Sequence, residues 1–235
     1  MRRLLLISNS TNHGQGYLDH VLEEIDGFLG PVRRLAFVPF ALKDREGYGA
    51  KVRERLTAIG VEVSTLTADE AGRRAAREAE AVFTGGGNTF RLLKTLQDSG
   101  LLPILRERAL AGIPYMGSSA GTNIAAPTIR TTNDMPIVQP ASFEALGLIS
   151  FQINPHYLDA DPGSTHMGET REQRLKEFHE ENETPVVGLR EGAWIRIEGD
   201  RATLGGVQGA RGARIFRRGE APEERGTGDS LDDLL

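Results

Sequence analysis

Residues 113–126 read "IPYMGSSAGTNIAA", an apolar run that ends in small residues and passes into a possible helix. A short apolar run followed by a longer amphipathic segment occurs repeatedly before it. The earlier runs are 4–8, 34–40, 61–66 and 81–87. Strands that are covered on both faces are continuously apolar rather than alternating. The pattern predicts an α/β fold with a mostly parallel, doubly wound sheet flanked by helices.

The segments between these runs have helical spacing. They are residues 16–29, 44–60, 69–80 and 88–100. In the last of them, Phe90, Leu92, Leu93 and Leu96 share one face, and Gly100 follows as a stop signal. We therefore predict a helix after each of the first four strands.

The second half of the chain has a different pattern. Residues 148–156 predict another strand, and the charged segment 168–182 predicts a helix. Short alternating strands with glycine-containing turns follow, which we expect to lie antiparallel at one sheet edge. A hairpin with one buried face is indicated by four apolar residues, namely Ile195, Ile197, Ala202 and Leu204.

Length and composition limit the class of protein. The 235 residues predict one domain over 1–218, followed by an acidic tail over 219–235 that we expect to be flexible. The absence of cysteine excludes disulfides, cysteine-rich zinc sites and a cysteine nucleophile. A net charge of -5 does not predict nucleic-acid binding. No apolar run approaches the roughly 18 residues of a membrane span, so we expect no membrane partner.

The stretch "GSSAG" matches the G-x-S-x-G pattern of a nucleophile in a sharp turn between a strand and a helix. Gly117 and Gly121 frame Ser119 symmetrically, which favours Ser119 over Ser118 as the nucleophile. The motif alone is weak, because Ser119 also fits a simple helix N-cap.

A serine nucleophile needs a base and a group that orients the base. Of five histidines, His156 ends the apolar strand "FQINPH", at the sheet edge where the serine turn is expected. Asp134, in the polar loop between Ser119 and His156, is the preferred orienting carboxylate. Glu191 is the alternative, since it follows an apolar strand. The remaining histidines are weaker candidates: His13 lies in a loop that could approach the site, whereas His20, His166 and His179 are expected at the surface.

A glycine-rich loop, "TGGGNTFRLL" (84–93), also follows a strand and opens a helix. It is neither a P-loop nor a G-x-G-x-x-G dinucleotide motif. An anion cradle or half of an oxyanion hole remains possible, with Gly86 and Gly87 as backbone donors. Beside a serine turn, the Ala120 N–H would complete the oxyanion hole. The alternative is a flexible helix start without a ligand.

Eight blocks together resemble the S51 family of serine peptidases, in order from about residue 4 to residue 206. They are "LLLISNST", "FVPF", "GGGNTF", "GSSAG", "TIRTTNDMPIV", "QINPH", "GETREQR" and "ATLGG". The resemblance implies a cytoplasmic α-aspartyl dipeptidase that needs no metal or other cofactor, on a fold similar to class I glutamine amidotransferases. It also implies Ser119, His156 and Asp134 as the triad, with Glu191 also considered for the third position. One departure is Ser118, where familiar members of the family have tryptophan.

For the substrate's aspartate side chain, we expect a cation that binds carboxylate. Arg171 is the first choice and Arg130 the second, with Asn88 as a further substrate-binding residue and Glu169 for the free amine. The partner is then a small Asp-X dipeptide, bound by a monomer or weak homodimer. Two other interpretations stay open: a cyanophycinase-like peptidase for β-aspartyl links, or a non-catalytic module on the same fold.

Overall fold

The computed structural model describes residues 1–161, 163, 165 and 168–235. The strands are β1 (Arg3–Ile7), β2 (Arg34–Val38), β3 (Glu62–Thr65), β4 (Ala81–Thr84), β5 (Tyr115–Ser118), β6 (Gln152–Tyr157), β7 (Val186–Arg190), β8 (Ala193–Glu198), β9 (Arg201–Gly206), β10 (Ala213–Phe216) and β11 (Glu223–Arg225). The α-helices are α1 (Leu22–Leu29), α2 (Arg45–Thr57), α3 (Glu70–Glu78), α4 (Thr89–Asp98), α5 (Leu101–Leu110), α6 (Ala120–Asn123) and α7 (Arg171–Glu181).

The main sheet has seven strands in the order β3-β2-β4-β5-β1-β8-β9. Its first five strands are parallel, and the β8–β9 hairpin adds antiparallel strands beyond β1. The predicted fold class is confirmed, and antiparallel C-terminal strands are present, but only β8 and β9 lie at this edge, whereas β7 and β10 belong to a second sheet. The hairpin register pairs Ile195 with Leu204 and Ile197 with Ala202, and all four side chains are fully buried.

Strand β1 shows why the apolar runs are continuous. Leu4 and Leu6 belong to the apolar cluster on one face of the sheet, while Leu5 and Ile7 belong to the cluster on the other. Since successive side chains of a strand point to opposite faces, a strand covered on both sides needs apolar residues at every position.

A second sheet has four strands in the order β11-β10-β7-β6, and its strands are not paired with those of the main sheet. Strands β6 and β7 are parallel, whereas β10 and β11 add antiparallel strands. The strand predicted over 148–156 therefore exists as β6, but it belongs to this sheet and not to the main one. The two-residue link Glu191–Gly192 joins β7 to β8 and so connects the sheets.

Two helical regions differ from the sequence prediction. The segment 16–29 forms a short 3-10 turn, Asp19–Val21, before α1 begins at Leu22. Leu18 precedes it in a left-handed conformation, φ 58°, which breaks the helical path. Helix α5 was not predicted: it follows α4 after Gly100, whose φ of 70° redirects the chain.

The predicted flexible tail, 219–235, instead packs on the protein. Strand β11 pairs with β10, and Ser230 bridges Thr203 on the edge strand β9. Leu231 is fully buried, and its N–H donates to the Ala202 carbonyl. The segment is ordered for two reasons. It buries apolar residues such as Leu231, and its backbone pairs with the edge strand β9, whose N–H and C=O groups would otherwise be unpaired.

Among the helices of the described residues, none combines the length and apolar character needed to cross a membrane.

Candidate active site

Ser119 lies directly after β5 in a strained turn. Its φ is 53° and its ψ is -109°, outside the left-handed helical region as well as the ordinary ones. A side chain on Gly117 would collide with the backbone of Gly121, and one on Gly121 would collide with the Thr84 carbonyl. The two positions therefore have no room for a larger residue, as the motif predicts. The Ser119 side chain does not cap α6.

His156 lies where β6 departs from its regular pairing with β7. Its φ is also 53°, and its backbone N–H donates to Ser8 Oγ over 2.9 Å. This irregularity directs the imidazole towards the serine turn, so that Nε2 lies 3.0 Å from Ser119 Oγ. A serine hydroxyl at this distance can donate its hydrogen to the ring nitrogen.

Glu191 provides the third group. It follows the last residue of β7, and its Oε1 lies 2.7 Å from His156 Nδ1. An Nδ1–H that donates to this carboxylate leaves Nε2 free to accept the serine proton. Because β6 and β7 are neighbouring parallel strands, their carboxyl ends bring the two residues together.

The preferred orienting carboxylate, Asp134, is elsewhere. Its Oδ2 accepts hydrogen bonds from Thr89 N at 2.7 Å and from Thr89 Oγ1 at 2.6 Å, at the start of α4. Asp134 thus stabilises a helix N-terminus, where a carboxylate is favourable. The structure corrects the preference for Asp134 beside His156 and places the alternative, Glu191, there.

Two polar residues after β1 support this arrangement and were missed by the sequence analysis. Ser8 accepts the His156 N–H and donates to the Leu189 carbonyl at 2.9 Å. Asn9 Oδ1 accepts the Gly192 N–H at 2.8 Å, beside Glu191. Their position at the carboxyl end of a buried parallel strand was the available signal.

The three expected oxyanion donors, Gly86, Gly87 and Ala120, all line the cavity at Ser119. Burial raises the pKa of Tyr48, and hydrogen bonding to Tyr17 and to the Gly86 backbone partly offsets this. Among the described residues, the N–H groups of Gly87 and Ala120 meet no backbone acceptor. Gly87 has φ 132°, and a Cβ there would lie 2.8 Å from the Ala41 carbonyl.

The cavity has a volume of about 850 Å³, typical of a small-molecule site. Arg171, the first residue of α7, lines it together with Asp134. Burial is the main cause that lowers the pKa of Arg171, and Asp134 partly offsets it. The structure therefore brings Arg171, a carboxylate and Ser119 to one cavity.

The other expected substrate-binding residues lie differently. Arg130 is exposed and stacks on Phe143, 5.4 Å from the ring centroid, outside this cavity. Asn88 caps α4 through Oδ1 and donates from Nδ2 to the Met135 carbonyl. Glu169 pairs with Arg174 at 3.4 Å on the exposed surface. The structure does not place these three side chains among those that line the cavity.

Of the other histidines that the structure describes, none lines the cavity at Ser119. His13 is exposed, and His166 lies outside the described residues. His20 and His179 were expected at the surface, but His20 is half-buried and His179 is only 7% exposed. His179 Nδ1 lies 3.2 Å from the Asn182 carbonyl at the end of α7.

Ser118 is fully buried in β5, opposite Ile7 of β1. Its hydroxyl has no hydrogen-bond partner among the described residues, and the residue does not line the cavity. Over the same part of the chain, no group of three or more histidine and carboxylate side chains is arranged to hold a metal ion.

Comparisons with known proteins identify the family of this chain. The family model of peptidase family S51 matches residues 4–205. A peptidase E of Streptomyces coelicolor is 60% identical over 234 residues, covering 99% of this chain and 94% of that protein. A Drosophila melanogaster protein named "Probable alpha-aspartyl dipeptidase" is 48% identical over 226 residues, covering 95% of this chain and 93% of that protein.

A solved structure shares the fold. The crystal structure of a peptidase from an acI-B1 Actinobacterium superposes with a TM-score of 0.72 at 18% identity, covering 98% of this chain and 96% of that one. The family match and the relatives lead to one assignment, which confirms the resemblance seen in the sequence: the chain belongs to peptidase family S51.

Proposed function

We propose that this protein is a serine dipeptidase that hydrolyses dipeptides with an N-terminal aspartate. The hydrogen-bonded series Ser119–His156–Glu191, at 3.0 and 2.7 Å, carries the proposal. It is the arrangement of nucleophile, base and orienting carboxylate that serine hydrolases use. The relative from Drosophila melanogaster, which is named for α-aspartyl dipeptides, supports the substrate class.

In the first half-reaction, Ser119 Oγ attacks the peptide carbonyl carbon while His156 Nε2 takes the hydroxyl proton. Glu191 holds the imidazole and stabilises the imidazolium that forms. The N–H groups of Gly87 and Ala120 bind the developing oxyanion, and each such donor is worth roughly 2.7–4 kcal/mol of barrier. The C–N bond then breaks, and His156 gives its proton to the leaving amine. Water then attacks the acyl carbon while His156 takes a proton from it. The ester bond to Ser119 Oγ breaks, and His156 returns the proton to Oγ.

Arg171 and Asp134 supply the charges for the N-terminal aspartate. A guanidinium binds a carboxylate through two parallel hydrogen bonds, so Arg171 suits the substrate's side chain. Asp134 Oδ1 accepts no hydrogen bond from the described residues, whereas Oδ2 is held by Thr89. This free oxygen suits the substrate's ammonium group, and Asp134 replaces Glu169 in that role.

The substrate proposal is tested with Asp-Leu, Asn-Leu and β-linked Asp-Leu, each assayed for release of leucine by the wild type and Arg171→Gln. We expect Asp-Leu to be hydrolysed best, and Arg171→Gln to lose most of the preference for Asp-Leu over Asn-Leu. Arg130→Gln is the matched control and should keep the preference. Faster hydrolysis of β-linked Asp-Leu would indicate the cyanophycinase-like alternative, and no hydrolysis of any of them would indicate a binding module.

A further inference from the structure

Besides His156, four charged side chains of the described residues line the cavity at Ser119, namely Asp44, Lys51, Asp134 and Arg171. Asp134 and Arg171 both line this cavity, and the carboxylate partly offsets the lowering of the guanidinium pKa by burial. In the proposed function, this pair binds the two charged groups of the N-terminal aspartate. Lys51 and Asp44 are not used by that mechanism.

Lys51 belongs to a face of α2 that forms one wall of the cavity. Gly47, Tyr48 and Lys51 line it together, as the helical spacing of three and four residues requires. The Lys51 ammonium lies 4.7 Å from the ring centroid of Tyr17, and the Tyr17 hydroxyl lies 3.4 Å from that of Tyr48. Tyr48 and Tyr17 therefore form an aromatic wall with the Lys51 ammonium at its end.

This wall continues to the nucleophile. A Cβ on Gly85 would lie 2.5 Å from the Tyr48 hydroxyl, so the phenol rests against the glycine loop. A Cβ on the next residue, Gly86, would lie 3.0 Å from Ser119 Cβ. The cavity lining between Ser119 and Lys51 thus includes Gly86, Tyr48 and Tyr17, with Gly85 buried beneath the Tyr48 phenol.

The positive charge of Lys51 is available to a ligand. Lys94 and Lys176 are paired with Asp98 and Glu172, but no carboxylate of the described residues lies within 4.0 Å of the Lys51 ammonium. Burial raises the pKa of Tyr17 well above its ordinary value, so this phenol stays neutral beneath the ammonium.

Asp44, the remaining anion, is held by its own helix. Its Oδ1 accepts the Gly47 N–H at 2.9 Å, at the N-terminus of α2, where the helix dipole offsets negative charge. It therefore does not neutralise Lys51 by direct contact.

An Asp-X dipeptide has two carboxylates and one ammonium. Asp134 and Arg171 account for the two charges of the N-terminal residue, which leaves the C-terminal carboxylate. We propose that Lys51 binds this carboxylate, with Tyr17 and Tyr48 forming the wall beside the leaving residue. The inference rests on the proposed function and makes Lys51 a specificity-determining residue. Each further residue would move the carboxylate about 3.3–3.6 Å away, so Lys51 favours dipeptides over longer chains.

The test compares kcat/KM for Asp-Leu and Asp-Leu-amide, which differ in the C-terminal charge alone. The wild type should prefer the free acid roughly tenfold or more, since a hydrogen bond to a charged group is worth about that factor. In Lys51→Met the acid-to-amide ratio should fall roughly tenfold, mainly through KM on the free acid, because the carboxylate is bound before and during reaction alike. Lys51→Arg should restore part of the ratio.

Lys94→Met is the matched control, since it removes one lysine charge from the surface pair with Asp98 and should keep the wild-type ratio. Thermal unfolding checks that each variant is folded. A wild type that hydrolyses acid and amide equally, or a Lys51→Met variant that keeps the wild-type ratio, overturns the Lys51 proposal alone. A wild type that hydrolyses neither compound overturns the proposed function as well.

Discussion

Ser119 and His156 both have a φ of 53°, a backbone conformation that non-glycine residues rarely adopt. Such conformations cost on the order of 1–3 kcal/mol and persist where surrounding contacts impose them. Here the Ile7 carbonyl holds the Ser119 N–H, and Ser8 Oγ holds that of His156. The strain is thus located at two residues whose side chains lie within hydrogen-bond distance of each other.

Single residues of the site were predictable to different degrees. Ser119 and His156 follow from local motifs, because a strained turn and a strand end have local sequence signals. The choice between Asp134 and Glu191 depends on how β6 and β7 pair in a separate sheet, and no local pattern shows that pairing.

Exchanging the two carboxylates for amides separates their roles. Glu191→Gln should lower kcat on Asp-Leu by about 10²–10⁴-fold, because the amide no longer stabilises the imidazolium. Asp134→Asn should chiefly raise KM, because it weakens binding of the substrate's ammonium. Steady-state kinetics check both. The opposite pattern, with kcat lost in Asp134→Asn alone, would restore Asp134 as the orienting group.

Ser118→Ala removes a buried hydroxyl without a hydrogen-bond partner among the described residues. Since such a group carries a desolvation cost of about 1–3 kcal/mol, the variant should be as stable as the wild type or more stable. Its kcat should stay within about threefold of wild type. Chemical denaturation and an Asp-Leu assay check this, and a loss of activity as large as that expected for Ser119→Ala would mean that Ser118 takes part in the reaction.

At the scale of elements, the site is built where four strands end. Ser8 and Asn9 follow β1, and Ser119 follows β5. His156 lies near the carboxyl end of β6, and Glu191 follows β7. Apolar runs predicted β1, β5 and β6, because burial on both faces leaves a clear pattern. The assignment of β6 to a second sheet was not predictable, because strand pairing is a long-range property.

Ser8→Ala tests how β1 positions β6. Without the Ser8 hydroxyl, the His156 N–H loses its acceptor, so the imidazole is held less firmly. We expect kcat to fall by about 10-fold, with a stability loss of about 1 kcal/mol. Ser150→Ala, which removes a hydroxyl bonded to the Leu234 carbonyl, is the control for stability and should keep kcat. Equal kcat in both variants would argue against a positioning role for Ser8.

At the scale of the whole molecule, Arg190 joins segments that are distant in sequence. Its side chain is 6% exposed and forms paired hydrogen bonds with Asp159 and with Glu224. Asp159 follows β6, and Glu224 lies in β11 of the C-terminal segment. The acidic composition of that segment predicted a flexible tail. Its pairing with a buried arginine was not predictable, because the partners lie more than 30 residues away.

Arg190→Met should destabilise the protein by about 2–3 kcal/mol, less than for a fully buried pair because Glu224 is 55% exposed. Arg34→Met, which breaks an exposed pair with Glu80, should cost less than about 1 kcal/mol. Urea denaturation measures both. Equal effects would contradict the special role of Arg190.

The pair of Arg190 and Asp159 predicts that the stability of the protein depends on pH. Its hydrogen bond to Arg190 lowers the pKa of Asp159 below the ordinary value. A carboxyl with a lowered folded-state pKa contributes stability that is complete above its unfolded pKa of about 3.9 and is lost as pH falls through the folded value. Wild type should therefore lose its advantage over Arg190→Met in acid below about pH 4. A constant difference from pH 7 to pH 2 would exclude this linkage.

We propose that Ser119 attacks the peptide bond of α-aspartyl dipeptides. The most direct measurement is kcat/KM for Asp-Leu in the wild type and in Ser119→Ala, with thermal unfolding recorded for both proteins. We expect hydrolysis by the wild type and a loss of at least about 10³-fold in a Ser119→Ala variant that unfolds at an unchanged temperature. Comparable hydrolysis by the folded Ser119→Ala variant would contradict it.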